Sequence, residues 1–174
     1  MKNLVILGAG TAGTMMANHL VKKLNKKDWQ ITLVDQFKSH YYQPGFLFIP
    51  FGTYQPEDVK RTIDEFLPKG IQLIREKIDR IDKDTDTVIL ENGRNVKYDI
   101  LIIATGCKIA PEEVPGMKGD TWQKNIFDFY TFEGSCALAK KLETWPGGKL
   151  VVHITEMPIK CPVAPLEFAF LADD

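Results

Sequence analysis

The chain has 174 residues, of which 44% are hydrophobic and 26% charged, and its formal net charge is −1. This composition can bury a core, and the near-zero charge argues against a protein that binds nucleic acid by neutralising phosphates. No segment has the apolar length of a membrane span and the N-terminus has no cleavable signal pattern, so we expect cytoplasmic synthesis. The three cysteines form no CxxC pair, and we expect neither a metal site nor a disulfide framework.

The N-terminal segment predicts a strand, a glycine-rich turn, a helix and a second strand. Leu4–Leu7 is a continuous apolar run, as in a strand that is buried on both faces. It leads into Gly8-Ala9-Gly10-Thr11-Ala12-Gly13, which matches GxGxxG. Helical apolar spacing continues to Leu24, and Trp29–Val34 predicts a strand that ends at Asp35. In this context the motif indicates a dinucleotide-binding unit.

The glycines of this motif have distinct expected roles. Gly8 allows the tight turn, Gly10 allows the close approach of a pyrophosphate, and Gly13 allows the helix to pack on the strand. The N-terminus of the helix faces the phosphates, and the carboxylate of Asp35 can accept both ribose hydroxyls. The predicted cofactor-binding residues of this unit are Gly8, Gly10, Thr11, Ala12, Gly13 and Asp35.

The middle of the chain predicts an antiparallel insert followed by another buried strand. The predicted elements are a short helix at Pro56–Phe66, strands at Ile71–Ile74 and Lys77–Ile81, a hairpin of Thr87–Leu90 and Asn95–Tyr98 with its turn at Asn92-Gly93, and a strand at Tyr98–Gly106. This order predicts an α/β fold: a Rossmann-like domain with a parallel sheet and a hairpin insert over residues 1–107. Residues 108–174 are expected to begin a second Rossmann-like domain and to stop within it.

The order of these elements, with a strand that ends in Ala104-Thr105-Gly106, resembles the FAD domain of flavoproteins with two dinucleotide-binding domains. The resemblance implies that Ala104, Thr105 and Gly106 pass close to FAD. It also implies that the backbone near Ile78 holds the adenine. The residues by themselves indicate a dinucleotide-binding domain and do not choose the cofactor.

A second motif, Ser39-His40-Tyr41-Tyr42-Gln43-Pro44-Gly45-Phe46, follows the Asp35 strand. It resembles the HxxQP segment of sulfide:quinone oxidoreductases and type II NADH dehydrogenases, two groups of membrane-associated quinone reductases. The resemblance implies that Gln43 and Pro44 run beside the flavin. The alternative is an aromatic loop that closes the core.

The segment around Cys161 separates the two groups. Leu150–Ile154 predicts a strand and Leu166–Leu171 a helix, yet the turn between them has no glycine. Pro158 and Pro162 lack the N–H groups that a phosphate would need, so NADH and NADPH are not expected to bind there. The stretch PIKCPVAPLEFAFLAD resembles the sulfide:quinone oxidoreductase segment that carries a redox cysteine. A thiolate at Cys161 is favoured by the neighbouring Lys160 and by the N-terminus of the helix that follows.

Cys161 is the predicted catalytic residue, and the alternative is that it is a packed, inert thiol. The sequence indicates less about the other two cysteines. Cys107 directly follows Ala-Thr-Gly and is expected near the cofactor or in the core, whereas Cys136 is expected to be structural, early in a helix. Some members of the resembling family have a further cysteine that would fall near Tyr130, and this departure argues against a mechanism with three cysteines.

The resemblance therefore implies an FAD-dependent enzyme that oxidises sulfide and passes electrons to a membrane quinone. It also implies a longer protein with the partner cysteine and a peripheral membrane-binding region beyond residue 174, so this chain alone is expected to be inactive. The alternatives are a type II NADH dehydrogenase, an NADH-dependent disulfide reductase, or a non-catalytic FAD-binding module. The sequence leaves homo-oligomerisation open.

Overall fold

The computed structural model describes residues 1–173, which divide into two compact units. One unit consists of Met1–Tyr41 and Lys60–Cys107, and the other consists of Tyr42–Val59 and the chain from Lys108 onward. The segment between Tyr41 and Lys60 therefore belongs with the C-terminal part of the chain. That the second unit begins another nucleotide-binding domain stays a prediction.

The first unit contains one α-helix and nine strands. In chain order these are β1 (Lys2–Leu7), α1 (Thr11–Lys23), β2 (Trp29–Val34), β3 (Ser39–Tyr41), β4 (Lys60–Thr62), β5 (Ile71–Ile74), β6 (Ile78–Asp82), β7 (Thr87–Leu90), β8 (Asn95–Lys97) and β9 (Ile100–Ile103). A four-stranded parallel sheet has the order β5-β2-β1-β9. An antiparallel sheet of β6, β7 and β8 forms the predicted hairpin insert. The predicted α/β class and its antiparallel insert are confirmed.

Strand β1 is buried on both faces, as its unbroken apolar sequence predicts. Leu4 and Ile6 belong to the hydrophobic cluster that includes Ala17 of α1. Val5 and Leu7 point into a second cluster, which the antiparallel insert helps to form. The central strand thus fixes the end of the sheet from which the glycine-rich turn leaves.

The predicted helix at Pro56–Phe66 is wrong. Its central part is strand β4, which pairs antiparallel with β3. Only Ile63–Phe66 forms a turn of 3-10 helix, and this turn begins at a capping box in which Thr62 and Glu65 exchange hydrogen bonds. Pairing with β3 satisfies the backbone of Lys60–Thr62, and this tertiary interaction overrides the local helical pattern.

The predicted strand at Tyr98–Gly106 is shorter and less buried than expected. Strand β9 covers Ile100–Ile103 and lies at the edge of the sheet, paired with β1. Consequently Ile100 is 44% exposed and Ile103 is 64% exposed. Within residues 1–173, β9 has a strand neighbour on one side only.

The predicted strand at Leu150–Ile154 is also wrong, because these residues form no strand. A strand needs a neighbour to bond its N–H and C=O groups, and no strand in the described part of the chain supplies one here. Val151 is 70% exposed. The predicted helix at Leu166–Leu171 is confirmed and lies within α3.

The second unit packs two helices and a 3-10 helix around aromatic side chains. Its elements are the 3-10 helix Gln43–Phe48, a short 3-10 turn at Pro111–Glu113, α2 (Phe132–Glu143) and α3 (Ala164–Asp173). Leu47, Leu138 and Phe168 form the buried centre, and the Phe129 ring stacks on Phe168 at 4.7 Å. No helix in residues 1–173 has the length and apolarity to span a bilayer.

Candidate functional site

The turn after β1 is a tight loop with one open position. Gly8 has a φ of +93°, which side chains rarely permit, and a Cβ there would collide with the Ala104 carbonyl. A Cβ at Gly13 would collide with the Gly8 carbonyl, whereas one at Gly10 would meet nothing within 4 Å. Gly8 and Gly13 are therefore required by the fold. Gly10 leaves space that a ligand can fill.

Helix α1 begins at Thr11, immediately after this open position, with Gly10 as its N-cap. Thr14 makes the first helical hydrogen bond, from its N–H to the Gly10 carbonyl at 3.0 Å. The first turn of any helix has no preceding turn to accept its N–H groups, here those of Thr11, Ala12 and Gly13. These donors and the positive end of the helix dipole suit an anionic group beside Gly10.

Two side chains hold the backbone of Ala9 in this loop, one at its N–H group and the other at its carbonyl. The Asp35 carboxylate accepts the Ala9 N–H at 2.6 Å, and its other oxygen accepts the Phe37 N–H at 2.7 Å. The His40 Nδ1 lies 3.1 Å from the Ala9 carbonyl. Because a carbonyl only accepts, Nδ1 carries the proton in this contact. Sequence reasoning gave Asp35 a ligand role and missed that both residues shape the loop.

The Ala104-Thr105-Gly106 segment leaves β9 beside the glycine loop. The Ala104 N–H donates to the Leu7 carbonyl at 2.7 Å, and the Ala104 carbonyl faces Gly8. Gly106 turns with a φ of +73°. The structure thus brings this segment and the GxGxxG loop together at one end of the parallel sheet.

Ile78 lies at the start of β6, opposite Leu90. Its side chain packs on the cluster that contains Leu7 and Val34, which are the last residues of β1 and β2. Its backbone therefore lies in the insert that covers this end of the sheet. Contact between Ile78 and an adenine stays a prediction.

In the second unit, the Gln43-Pro44 motif and the Lys160-Cys161 motif are in contact. The Lys160 ammonium group donates a hydrogen bond to the Gln43 side-chain oxygen. Pro44 lies in the first turn of the 3-10 helix that starts at Gln43. Sequence reasoning identified both motifs separately and did not predict that they meet.

Cys161 is exposed and lies in a turn that leads into α3. Its φ is +53°, a left-handed conformation that is uncommon for a residue with a Cβ. Its carbonyl accepts two hydrogen bonds, one from the Ala164 N–H at 3.0 Å and one from the Tyr130 hydroxyl at 3.2 Å. The thiol is thus presented by a fixed turn just before the helix.

Tyr130 is held in place by its neighbours. The Asp128 carboxylate accepts the N–H groups of Tyr130 at 3.0 Å and Thr131 at 2.7 Å. Thr131 in turn caps α2 by accepting the Gly134 N–H at 3.0 Å. Burial raises the pKa of Asp128, against the lowering effect of these bonds. Burial, and then the charge of a Cys161 thiolate, raise the pKa of Tyr130, so its hydroxyl remains a donor at neutral pH.

No disulfide joins the three cysteines within residues 1–173. Cys107 is exposed directly after the Ala-Thr-Gly segment, and Cys136 lies early in α2, as predicted. In the same part of the chain, no group of three His, Cys, Asp or Glu side chains is arranged to hold a metal ion.

The four-stranded parallel sheet, its antiparallel insert and its glycine loop define an FAD-binding Rossmann-like domain of the flavoprotein reductase class. The sequence profile of the pyridine nucleotide-disulphide oxidoreductases matches residues 2–152. The chain belongs to this family, which is FAD-dependent.

Similar proteins include quinone reductases of two kinds. The sulfide-quinone reductase of Aquifex aeolicus is 31% identical over 98% of this chain and 38% of its own length. The X-ray structure of the A. aeolicus sulfide:quinone oxidoreductase superposes with a TM-score of 0.67, at 30% identity, over 82% of this chain and 32% of that one. A type II NADH:quinone oxidoreductase of Staphylococcus aureus is 28% identical over 70% of this chain and 30% of its own length. The chain thus spans well under half the length of these relatives.

Proposed function

We propose that this chain is part of an FAD-dependent enzyme that oxidises sulfide and passes the electrons to a membrane quinone. One observation carries the proposal: Lys160, the neighbour of Cys161, is hydrogen-bonded to Gln43. The family resemblance implies that the Gln43-Pro44 segment runs beside the flavin. A contact between the two motifs therefore supports a redox role for Cys161 next to the cofactor.

The residues of the glycine loop fit FAD. The open position at Gly10 and the first N–H groups of α1 suit the pyrophosphate. Each oxygen of the Asp35 carboxylate accepts one backbone N–H and keeps accepting capacity for the ribose hydroxyls. Ala104, Thr105 and Gly106 complete this side of the site, and the backbone near Ile78 holds the adenine.

Cys161 carries the sulfur chemistry in this proposal. It forms a disulfide with a second cysteine, and the sulfur of hydrosulfide attacks this disulfide. The old S–S bond breaks, a new one forms as a persulfide on one cysteine, and the other cysteine leaves as a thiolate. A second hydrosulfide takes the outer sulfur of the persulfide as a polysulfide, which leaves both cysteines as thiolates, and these give up two electrons as their disulfide re-forms. When bound, FAD would serve as the acceptor of this electron pair and as the donor to a quinone. The enzyme works as a peripheral membrane protein.

NADH is a poor fit as the electron donor at the Cys161 turn. A second nucleotide site would need a strand, a glycine-rich turn and a helix. Leu150–Ile154 forms no strand, no glycine lies between Gly148 and α3, and Pro158 and Pro162 lack N–H groups. These features favour the sulfide hypothesis over a type II NADH dehydrogenase.

Anaerobic reduction of the flavin tests the proposal. The protein is expressed from its complete gene, loaded with FAD and mixed with either sulfide or NADH, and the absorbance of oxidised flavin is followed. We expect sulfide to bleach the flavin in the wild-type protein and not in Cys161→Ser. Fast bleaching by NADH with none by sulfide would support the dehydrogenase instead.

A further inference from the structure

We infer that Tyr130 is a positioning residue that holds Cys161 in the conformation in which its thiol is presented for reaction. The inference rests on the proposed redox role of Cys161 and adds a residue that the sequence pattern did not assign. Its basis is the hydrogen bond from the Tyr130 hydroxyl to the Cys161 carbonyl at 3.2 Å, together with the φ of +53° at Cys161.

The left-handed conformation of Cys161 requires support. A side chain at positive φ crowds the neighbouring carbonyl, so such residues persist where the surroundings hold them. The Ala164 N–H bond to the Cys161 carbonyl is the ordinary bond of the turn. The Tyr130 hydroxyl donates a second hydrogen bond to the same oxygen, from a part of the sequence outside the turn.

Tyr130 is itself fixed well enough to act as this support. Its N–H is bonded to Asp128, and the next residue, Thr131, caps α2. On the other side, its ring lies 5.2 Å from that of Phe129, which stacks on Phe168 of α3. The hydroxyl therefore bridges from the start of α2 to the turn before α3, and packing of the ring does not depend on it.

Loss of the hydroxyl is expected to release the turn while the ring stays packed. Removal of one neutral hydrogen bond shifts a local equilibrium by about fivefold. Reversal of the sign of φ redirects the Cβ of Cys161, and with it the thiol. The fraction of molecules in the presented conformation falls, and the reaction of Cys161 with a disulfide reagent slows in proportion.

The experiment compares wild-type protein, Tyr130→Phe and Tyr54→Phe. Tyr54 is the matched control, because its ring packs edge-on against Phe48 at 5.7 Å and its hydroxyl makes no hydrogen bond within residues 1–173. In the protein expressed from its complete gene, selective labelling of cysteine with ¹³C and ¹⁵N makes the signals of Cys107, Cys136 and Cys161 visible, and their Cα and Cβ chemical shifts report backbone conformation. The rate at which each cysteine reacts with dithiodipyridine is measured by peptide mass spectrometry.

We expect left-handed shifts for Cys161 in the wild-type protein and in Tyr54→Phe. In Tyr130→Phe the Cys161 signals should move toward extended values, and its reaction should slow by at most about fivefold, in proportion to the lost fraction of the left-handed conformation. The signals of Cys136, on α2, should not change, which separates positioning from a general loss of packing. Unchanged Cys161 signals and rate in Tyr130→Phe would overturn the inference, as would extended shifts for Cys161 in the wild-type protein.

The same samples keep this inference separate from the proposed function. If sulfide fails to reduce the flavin of the complete enzyme, the proposed function fails, while the Cys161 signals still report whether Tyr130 holds the turn. If sulfide reduces the flavin and Tyr130→Phe leaves Cys161 unaltered, the proposed function stands and the positioning role is wrong.

Discussion

The ammonium group of Lys160 donates a hydrogen bond to the side-chain oxygen of Gln43, although the two residues are 117 positions apart in the chain. Both side chains are exposed, and exposed pairs contribute about 1 kcal/mol or less to stability. The contact therefore matters mainly for where it places the turn that carries Cys161.

We predict that Gln43→Leu and Lys160→Met each loosen this turn without unfolding the protein. Hydrogen exchange of residues 157–163 should quicken in either variant. The double variant should exchange no faster than the quicker of the two single variants, because both remove the same bond. Lys124→Met, at another exposed lysine, is the control. Fully additive effects would show that the two side chains act independently.

Gly10→Val should separate cofactor binding from folding. A Cβ at Gly10 meets no atom within 4 Å, so the flavin-free variant should have nearly the same unfolding midpoint as the flavin-free wild type. Its branched side chain occupies the space proposed for the pyrophosphate, and bound flavin should be lost. Gly13→Ala is the contrasting variant. Its added Cβ collides with the Gly8 carbonyl, so this substitution should lower the free energy of unfolding. Normal flavin occupancy in Gly10→Val would rule out this loop as the binding site.

Cys161→Ser should lower sulfide-dependent quinone reduction by the complete enzyme by at least about a hundredfold, because a hydroxyl forms no disulfide. The flavin content should remain that of the wild type. Cys136→Ser should cost little activity, since Cys136 lies in helix α2. Cys107→Ser should alter the flavin spectrum more than turnover. Near-native turnover in Cys161→Ser would remove this residue from the mechanism.

Asp128→Asn should make the protein more stable at neutral pH relative to the wild type. Burial raises the pKa of Asp128 above its ordinary value of 3.8. A raised carboxyl pKa contributes stability that is fully present below the unfolded-state value and lost as pH rises through the folded-state value. The amide keeps an oxygen for the N–H groups of Tyr130 and Thr131 and carries no charge.

The unfolding free energy of Asp128→Asn should therefore exceed that of the wild type increasingly as the pH rises above the ordinary carboxyl value of 3.8 and through the raised folded-state pKa of Asp128. Urea unfolding at several pH values measures this difference. Parallel stability curves for the two proteins would contradict the predicted burial penalty at Asp128.

Local patterns predicted the parts of the fold that depend on neighbouring residues. The unit from β1 to β2 follows from apolar runs around GxGxxG, and the hairpin follows from the Asn92-Gly93 turn. The errors arise where a distant partner decides the outcome. Lys60–Thr62 became a strand because β3 lies beside it, and Leu150–Ile154 did not because no strand pairs with it in the described chain.

In the candidate site, too, local features could be predicted from the sequence and contacts between distant segments could not. Gly8, Gly13 and the start of α1 could be predicted, since their roles follow from the turn that they form. The clamp of His40 on Ala9 and the bond from Tyr130 to Cys161 could not, because they join side chains and backbone from separate segments. The bond from Asp128 to the backbone could have been predicted, because an Asp three residues before the N-cap Thr131 is a pattern in which the carboxylate bonds nearby N–H groups.

The second unit is built from two separate segments of the chain, Tyr42–Val59 and the part from Lys108 onward, and this has a consequence for biosynthesis. Leu47 belongs to a cluster that Leu138 and Phe168 complete, so its partners leave the ribosome long after it does. At about 5–20 residues per second, the stretch of about 120 residues from Leu47 to Phe168 takes about 6 to 24 seconds to synthesise, and for that time this apolar segment lacks its native neighbours. During that time we expect it to be open to chaperones that bind nascent chains, and slower translation before Phe168 would lengthen its exposure.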